Sequence, residues 1–453
     1  MTHVTIIGGG PGGYEAALVA SRLGADVTLI ERDGLGGSTV LTDCVPSKTL
    51  IATSDLLTDV SGAAELGIEV PNAVRADLAA VDNRVLALAQ AQSADIADRL
   101  VASGVKLISG TATIESAHLV VVDGTLRIDT DAILVATGAH PRVSPDAQPD
   151  GERILTWEQI YALQKLPEHM IVVGSGVTGA EFASAYNGLG ATVTLVSSRD
   201  RVLPGEDADA ATVIEDVFKR RGMTVLGNSR MEKVERTDDG VRVTLTDGRT
   251  VDGSHCLLAL GSIPNTNDLG LAAVGVELNE GGFIEVDKVS RTSVRGVYAA
   301  GDCTGVLMLA SVAAQQGRIA MSHLLGDAVH PLDLGKVSSN VFTSPEIATV
   351  GLSQKQVDES DMQVVAATLP LASNARAKMQ GVHDGFVKIF ARRGMGIVVG
   401  GVVVGPKASE LIHVISLAVS ASLTVDQVAD AFTIYPSLSG SVAEAARRLH
   451  GAP

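Results

Sequence analysis

Two glycine-rich hexapeptides carry the first chemistry legible in this chain. Gly8-Gly9-Gly10-Pro11-Gly12-Gly13 follows the apolar run Val4–Ile7, and Gly174-Ser175-Gly176-Val177-Thr178-Gly179 follows Met170–Val173, 166 residues later (174 − 8). In a G-x-G-x-x-G turn the first glycine makes the tight strand-to-helix reversal and the second lets a pyrophosphate approach the backbone. The third lets the helix pack on the strand, and the phosphate charge rests at the helix N-terminus. The chain beyond each turn repeats as well. Tyr14–Gly24 and Ala180–Gly190 read as helices, and Ala25–Ile30 and Ala191–Val196 as second strands. Glu31 stands 18 residues past the last glycine of the first copy (31 − 13), where a carboxylate hydrogen-bonds an adenosine ribose hydroxyl; Ser197 holds that place in the second. The repeat predicts two dinucleotide sites on one polypeptide, only one of which keeps an acid at the ribose position.

The elements that must position these turns follow from length and pattern. At 453 residues the chain exceeds what one core supports, and 46% hydrophobic residues with 48 glycines suit α/β layers. The first dinucleotide unit is expected over residues 1–150, with a return over 268–334. In it Leu50–Asp59 and Asp82–Ser103 read as helices, and Leu119–Val122, Leu126–Ile128 and Ala132–Val135 as strands. Ala136-Thr137-Gly138 is a small-residue turn suited to close approach of a nucleotide. The second unit, 151–267, closes on Leu257–Leu260 and Gly261. Gly296–Asp302 reads as a buried strand ending in Gly301-Asp302. Residues 335–453 read as an α+β domain, with strands Val387–Ala391 and Val398–Val404 ahead of helices Ser409–Ser422 and Thr424–Phe432.

A net charge of −17 argues against nucleic-acid or anionic-membrane partners. Apolar runs such as Ile397–Val404 are too short and glycine-broken for stable membrane insertion. Three cysteines provide no disulfide framework, and the N-terminus shows no basic leader, so a reducing cytoplasm is expected. No histidine cluster has metal-ligand spacing; His383 and His413 are isolated, and no metal is expected.

Over essentially its whole length the chain resembles the flavoprotein disulfide reductases, which include dihydrolipoamide dehydrogenase, glutathione reductase and mercuric reductase. The matching features are the first turn with Glu31, Gly36-Gly37 followed by Cys44-Val45-Pro46-Ser47-Lys48, Ala136-Thr137-Gly138, the second turn with Glu181, Ala300-Gly301-Asp302 and Phe342-Thr343-Ser344-Pro345-Glu346. The resemblance implies two Rossmann-like domains, the first (1–150 and 268–334) binding FAD and the second (151–267) NAD(P)H, plus a dimerisation domain at 335–453. It implies a homodimer or higher homo-oligomer. By the same resemblance Asp302 hydrogen-bonds the FAD ribitol, and Lys48 and Glu181 lie near the flavin ring.

The departures from the family bear on function. Where it carries G-G-x-C-x-x-x-x-C, this chain reads Gly36-Gly37-Ser38-Thr39-Val40-Leu41-Thr42-Asp43-Cys44, so Thr39 replaces the first cysteine of the redox pair. A dithiol relay needs two sulfurs. Where the family carries His-Pro-x-x-x-Glu, this chain has Tyr435-Pro436 and Gly440, and a phenol is a poor base near neutral pH. A flavin reduced by NAD(P)H and reoxidised directly remains, which resembles the actinobacterial dihydrolipoamide-dehydrogenase-like NAD(P)H:quinone reductases. That resemblance implies ping-pong transfer to a small-molecule quinone, with Lys48 stabilising charge on the reduced flavin and Glu181 positioning Lys48 and the nicotinamide. Ser197, expected among the cofactor-binding residues, would not repel a 2′-phosphate as an acid would, and Ser198 and Arg199 would accept it, so NADPH is expected to serve at least as well as NADH.

Cys44 admits two readings, a thiolate activated at a helix start or a packed remnant. Tyr435 either contacts the acceptor or packs, and Cys256 and Cys303 read as core residues. Three alternatives stay open: a soluble pyridine nucleotide transhydrogenase, a thiol/disulfide reductase using Cys44 alone, and a non-enzymatic redox-sensing flavoprotein.

Overall fold

The structure, a computed structural model, describes residues 1–72 and 74–451. The chain divides into two compact units: Met1–Thr49 with Asp82–Arg142 and Leu260–Asp333, and Leu50–Val81 with Val143–Ala259 and Leu334–Pro453. Leu50–Val81, which lies in the stretch read as the first dinucleotide domain, thus belongs to the second unit. That unit also takes in both the second turn and the C-terminal domain.

The first unit is built on a five-stranded parallel sheet. Its strands lie in the order Val297–Ala299, Ala132–Val135, His3–Ile7, Asp26–Glu31, Lys106–Ser109. The strand His3–Ile7 lies at its centre, and Val4, Ile6, Leu29, Ile30 and Leu134 are at most 1% exposed. Continuous apolar runs of this kind mark strands covered on both faces, and each such side chain contributes about 1.5–3 kcal/mol by burial. The helices Pro11–Arg22 and Ala310–Leu324 pack on each other at backbone distance, because a Cβ at Gly317 would collide with the carbonyl of Gly12. A three-stranded antiparallel sheet, Ala112–Ser116, Leu119–Val122 and Leu126–Asp129, completes this unit together with the pair Ala139–Pro141 and Ser262–Pro264. The expected helix over 82–103 is observed as Leu78–Ala102. Near its start Asp82 is 2% exposed, neither carboxylate oxygen has a hydrogen-bond partner, and burial pushes its pKa up to about 7.

The second unit repeats the plan. Its five parallel strands run Thr224–Leu226, Thr192–Val196, His169–Val173, His255–Leu258, Ile154–Thr156. The C-terminal sheet of the same unit is antiparallel, ordered Ser338–Val341, Glu346–Gly351, Val398–Gly405, Phe386–Arg392, Val364–Pro370. Its core gathers Val387, Ile389 and Val403 with Ile412 and Ile415 of the helix Ala408–Ala421. One buried ion pair ties the two sheets' surroundings together. Lys388 Nζ lies 3.0 and 2.9 Å from the carboxylate oxygens of Asp207 and 2.6 Å from Asp209, between the rings of Phe386 and Phe390. Asp207 also caps the helix Ala208–Arg220 by accepting from the N–H groups of Asp209 and Ala210.

The candidate nucleotide sites

The two glycine turns are the same object built twice. Gly8 N donates to Ile30 O at 2.8 Å, and Gly174 N to Val196 O at 3.0 Å; Tyr14 N and Ala180 N each donate at 2.9 Å to Gly10 O and Gly176 O. A Cβ on Gly8 would strike the carbonyl of Ala136, and one on Gly174 that of Ala259. A Cβ on Gly13 or Gly179 would strike Gly8 O or Gly174 O. These four glycines are required by the protein's own packing, and Gly8 and Gly174 also by their positive φ of 103° and 112°.

The middle glycines are different. Gly10 and Gly176 have ordinary extended backbone, φ −69° and −71°, and no atom within 4 Å of where a Cβ would lie. Nothing in the protein requires glycine there. Space kept free of side chain in front of a helix N-terminus is what a pyrophosphate needs, so both turns fit a dinucleotide.

In the first unit the expected residues converge. Gly37 lies against the turn, its hypothetical Cβ 3.0 Å from the Cα of Gly10, and Gly36 N donates to Gly9 O at 2.8 Å. Gly12 abuts Ala300, which brings Gly301 and Asp302 beside the turn. The Glu31 carboxylate accepts from Gly9 N at 2.6 Å and from the N–H groups of Arg32, Asp33 and Gly34. Gly9 leaves room for it. Burial first, and the charge of Asp43 second, pushes Asp302 up to about 6. Gly301, at φ 85°, is held by Gln316, whose Oε1 accepts from Gly301 N at 2.8 Å, and by the Thr304 hydroxyl, which donates to Gly301 O at 2.7 Å. Gly138, at φ 71°, requires glycine by its conformation. Ala136 is buried behind Gly8, and the Thr137 hydroxyl donates to Asn265 O at 2.6 Å, while Asn265 returns a bond to Thr137 O. Gln316 and Asn265 were invisible to sequence pattern, since their partners are 15 and 128 residues away. Gly261, at φ 88°, stands after Ala259 as Gly138 stands after Ala136. Cys44 opens the helix Cys44–Gly62, half-buried, with Lys48 one turn further on.

In the second unit Glu181 is 3% exposed on the helix Val177–Gly188, and its Oε1 accepts from Phe342 N at 2.9 Å. Ser184 of the same helix accepts from Ser344 N, so the Phe342–Glu346 segment is bonded to the helix of the second turn. Ser198 and Arg199 are exposed, and Arg199 has no ion pair among the described residues.

Ser197 corrects an expectation: it faces inward, fully buried. Its Oγ meets Ser175 Oγ at 2.7 Å and accepts from Arg199 N at 3.1 Å, and it donates to the carbonyls of Arg199 and Arg201 at 3.1 and 3.2 Å. A hydroxyl has one proton and two lone pairs. With Ser175 as the donor in their shared bond, all are engaged, so Ser197 shapes the loop and has no capacity left for a nucleotide. The pair Ser175 and Ser197 occupies the places of Gly9 and Glu31 in the first copy.

Tyr435 is 85% exposed, next to Ile434 at 81% and Phe432 at 107%. Cys256 and Cys303 are both fully buried, as expected of core residues. Burial pushes the Cys303 thiol up to about 11 and raises that of Cys256 further. No two of the three cysteines form a disulfide. Among the described residues no group of three His, Cys, Asp or Glu side chains could hold a metal, and no helix is long and apolar enough to cross a membrane.

Comparison with known proteins agrees with this architecture. An NAD(P)H dehydrogenase (quinone) of Mycobacterium tuberculosis is 53% identical across 99% of this chain and 94% of its own length. A dihydrolipoyl dehydrogenase 2 of Haloarcula marismortui is 34% identical across 99% of this chain and 97% of its own. The crystal structure of LpdA from Mycobacterium tuberculosis superimposes with a TM-score of 0.95 at 53% identity, covering 99% of this chain and all of that one. Residues 2–317 match the profile of the pyridine nucleotide-disulphide oxidoreductases, and residues 337–446 match that family's dimerisation domain. With both modules present in order over the doubled turn, the chain belongs to the pyridine nucleotide-disulphide oxidoreductase family.

Proposed function

We propose that this chain is a cytoplasmic FAD-dependent NAD(P)H oxidoreductase that reduces quinones by a ping-pong route without a redox-active disulfide. Pyridine nucleotide-disulphide oxidoreductases use FAD and NAD(P)H. The observation that carries the reading is the set of thiols. Thr39 stands at the first position of the family's dithiol, and of the two cysteines besides Cys44, Cys256 is sealed in the strand His255–Leu258 and Cys303 in the short helical turn Asp302–Thr304, both with thiols raised by burial. Such thiols are inert. The exposed Tyr435 and Gly440 at the family's His–Glu positions support the same conclusion, since neither supplies a base for thiol exchange.

In this reading the chemistry that bound FAD would supply is hydride acceptance from the nicotinamide and electron delivery to the quinone. The chain binds and orients. Gly8, Gly10, Gly12, Gly13, Gly37 and Ala136–Gly138 shape the first seat, Glu31 holds the ribose, and Asp302 the ribitol. Gly174, Gly176 and Gly179 seat the nicotinamide nucleotide, Gly261 is a further cofactor-binding residue, and Lys48 and Glu181 each supply a charge for the reaction. Glu181 is buried and bonded to Phe342 N, which fixes its carboxylate for that task. With no acid at position 197 and Arg199 exposed and unpaired, NADPH serves at least as well as NADH. The C-terminal domain forms a homodimer, covering part of the exposed apolar surface at Val414, Leu417, Phe432 and Ile434.

The test is anaerobic reduction of the FAD-loaded protein with NADPH, followed by stopped-flow mixing with 2-methyl-1,4-naphthoquinone, lipoamide or thio-NAD. Rapid reoxidation by the quinone alone is expected. Rapid reoxidation by lipoamide would make it a thiol reductase, and by thio-NAD alone a transhydrogenase; either defeats the reading.

A further inference from the structure

The C-terminal sheet buries a lysine. Lys388 lies on the strand Phe386–Arg392 and is 3% exposed. An ammonium has three donors, and three carboxylate oxygens stand within reach of this one, both of Asp207 and one of Asp209. Lysine is almost never buried unless paired, and a buried pair often stabilises less than apolar side chains of the same volume would. The best-attested use of such a pair is register: it fixes which two segments meet and how.

The segment that Lys388 holds leads to the second glycine turn. Asp207 is the N-cap of the helix Ala208–Arg220, its carboxylate accepting from Asp209 N and Ala210 N at 3.0 and 3.2 Å. One residue earlier, Glu206 N donates to Leu203 O at 3.0 Å, and Leu203 N donates to Ser175 O at 2.8 Å. Ser175 immediately precedes Gly176, where the protein keeps open space. Leu203 is 1% exposed at φ 51°, a conformation that a bulky side chain resists and that persists only where the surroundings over-determine it. Two brackets do so here. On one side the Ser197 hydroxyl ties the carbonyls of Arg199 and Arg201, and on the other Asp207 is paired with Lys388. The helix beyond the turn is gripped by Phe342 N on Glu181 and Ser344 N on Ser184, so the C-terminal domain braces both flanks of the turn.

We propose that Lys388 is a positioning residue for the nicotinamide nucleotide, holding the second turn through Asp207 and Leu203 in the geometry that receives the pyrophosphate. The inference rests on the reading of that turn as the nicotinamide site and adds to it a residue of the C-terminal sheet. Lys388 is sealed and acts only through the backbone it fixes. Its loss should weaken nucleotide binding equally in the ground state and at the transition state, which raises KM and leaves kcat.

The experiment is isothermal titration of the FAD-loaded protein with NADP+ and with NAD+, together with steady-state turnover of NADPH and 2-methyl-1,4-naphthoquinone. Lys388→Met should raise the Kd of the tighter-binding nucleotide and the KM for NADPH by about three- to thirtyfold, with kcat within twofold of wild type. Lys388→Met combined with Asp207→Asn removes the unpaired carboxylate and so recovers stability, yet should bind as weakly as Lys388→Met alone. Asp209→Asn leaves Lys388 bonded to the buried Asp207 and should bind within twofold of wild type. Should Lys388→Met fail to fold, the double variant carries the test. A folded variant lacking Lys388 that binds within twofold of wild type overturns the proposal. So does one whose kcat falls at unchanged KM, the mark of a lost folded fraction. A wild type that binds neither nucleotide overturns the nicotinamide reading of the turn, and the proposal with it.

Discussion

The middle glycine of the second turn gives the sharpest test, because stability and binding should move in opposite directions. Gly176 has φ −71° and ψ −173°, a conformation open to any residue, and a Cβ there would meet nothing within 4 Å. Gly176→Ala should therefore leave the fold intact and stabilise it by about 0.4–1 kcal/mol, through the smaller conformational freedom of the unfolded chain. The same methyl group occupies the space in which the pyrophosphate meets the backbone. Loss of one or two charge-assisted hydrogen bonds costs about 2–4 kcal/mol, or about 30- to 700-fold in Kd. Isothermal titration of the FAD-loaded protein with NADP+, alongside urea unfolding, reads both quantities. Binding within threefold of wild type, or a variant less stable than wild type, would refute the idea that the gap at Gly176 is kept for a ligand.

Gly179→Ala should do the reverse of Gly176→Ala in the stability assay, losing about 1–3 kcal/mol, because its Cβ meets the carbonyl of Gly174 rather than open space. Lys388→Met leaves the buried carboxylate of Asp207 without its cation and should cost about 3–5 kcal/mol in urea unfolding; Lys388→Met with Asp207→Asn should recover part of the loss. Asp82 has a folded pKa of about 7 against an ordinary value of 3.8, so its contribution to stability falls as pH rises from about 4 to about 7. The loss amounts to roughly 4 kcal/mol at most. Asp82→Asn should flatten that part of the stability–pH profile, and an unchanged slope would show that Asp82 does not titrate in the folded state. Iodoacetamide should label Cys44 and spare Cys256 and Cys303 in the native protein, as read by mass spectrometry, and Cys44→Ser should retain quinone turnover.

What the sequence reveals here is what repeats locally. The two turns, their helices and their strands recur at one offset, so element type and order were readable, and the boundaries moved by only a few residues: the helix expected over 14–24 is Pro11–Arg22. Glu31, Asp302 and Glu181 stand at fixed distances from a glycine turn or a strand end, where a sequence pattern can point to them. The residues that sequence pattern could not find are those held by distant partners. Gln316 locks Gly301, Asn265 locks Thr137, and Lys388 meets Asp207 across 181 residues. Ser197 shows the opposite failure, in which the position was right and the direction wrong. A small polar residue at a strand end reads equally well as a ligand contact or as a buried bracket, and only the partners of its hydroxyl distinguish them.

The glycine turns also depend on chain that arrives late. Gly8 is braced by the carbonyl of Ala136, and Gly12 by Ala300 and Gly317, so the first seat is complete only when residue 317 has joined it. On a ribosome that separation of 309 residues (317 − 8) corresponds to about 15–60 s of synthesis at typical rates. The second turn gains its brace at Ala259 85 residues after Gly174 (259 − 174), while Glu181 on its helix waits for Phe342 N, 161 residues further on. Neither turn therefore reaches its final surroundings until chain beyond residue 300 has been made.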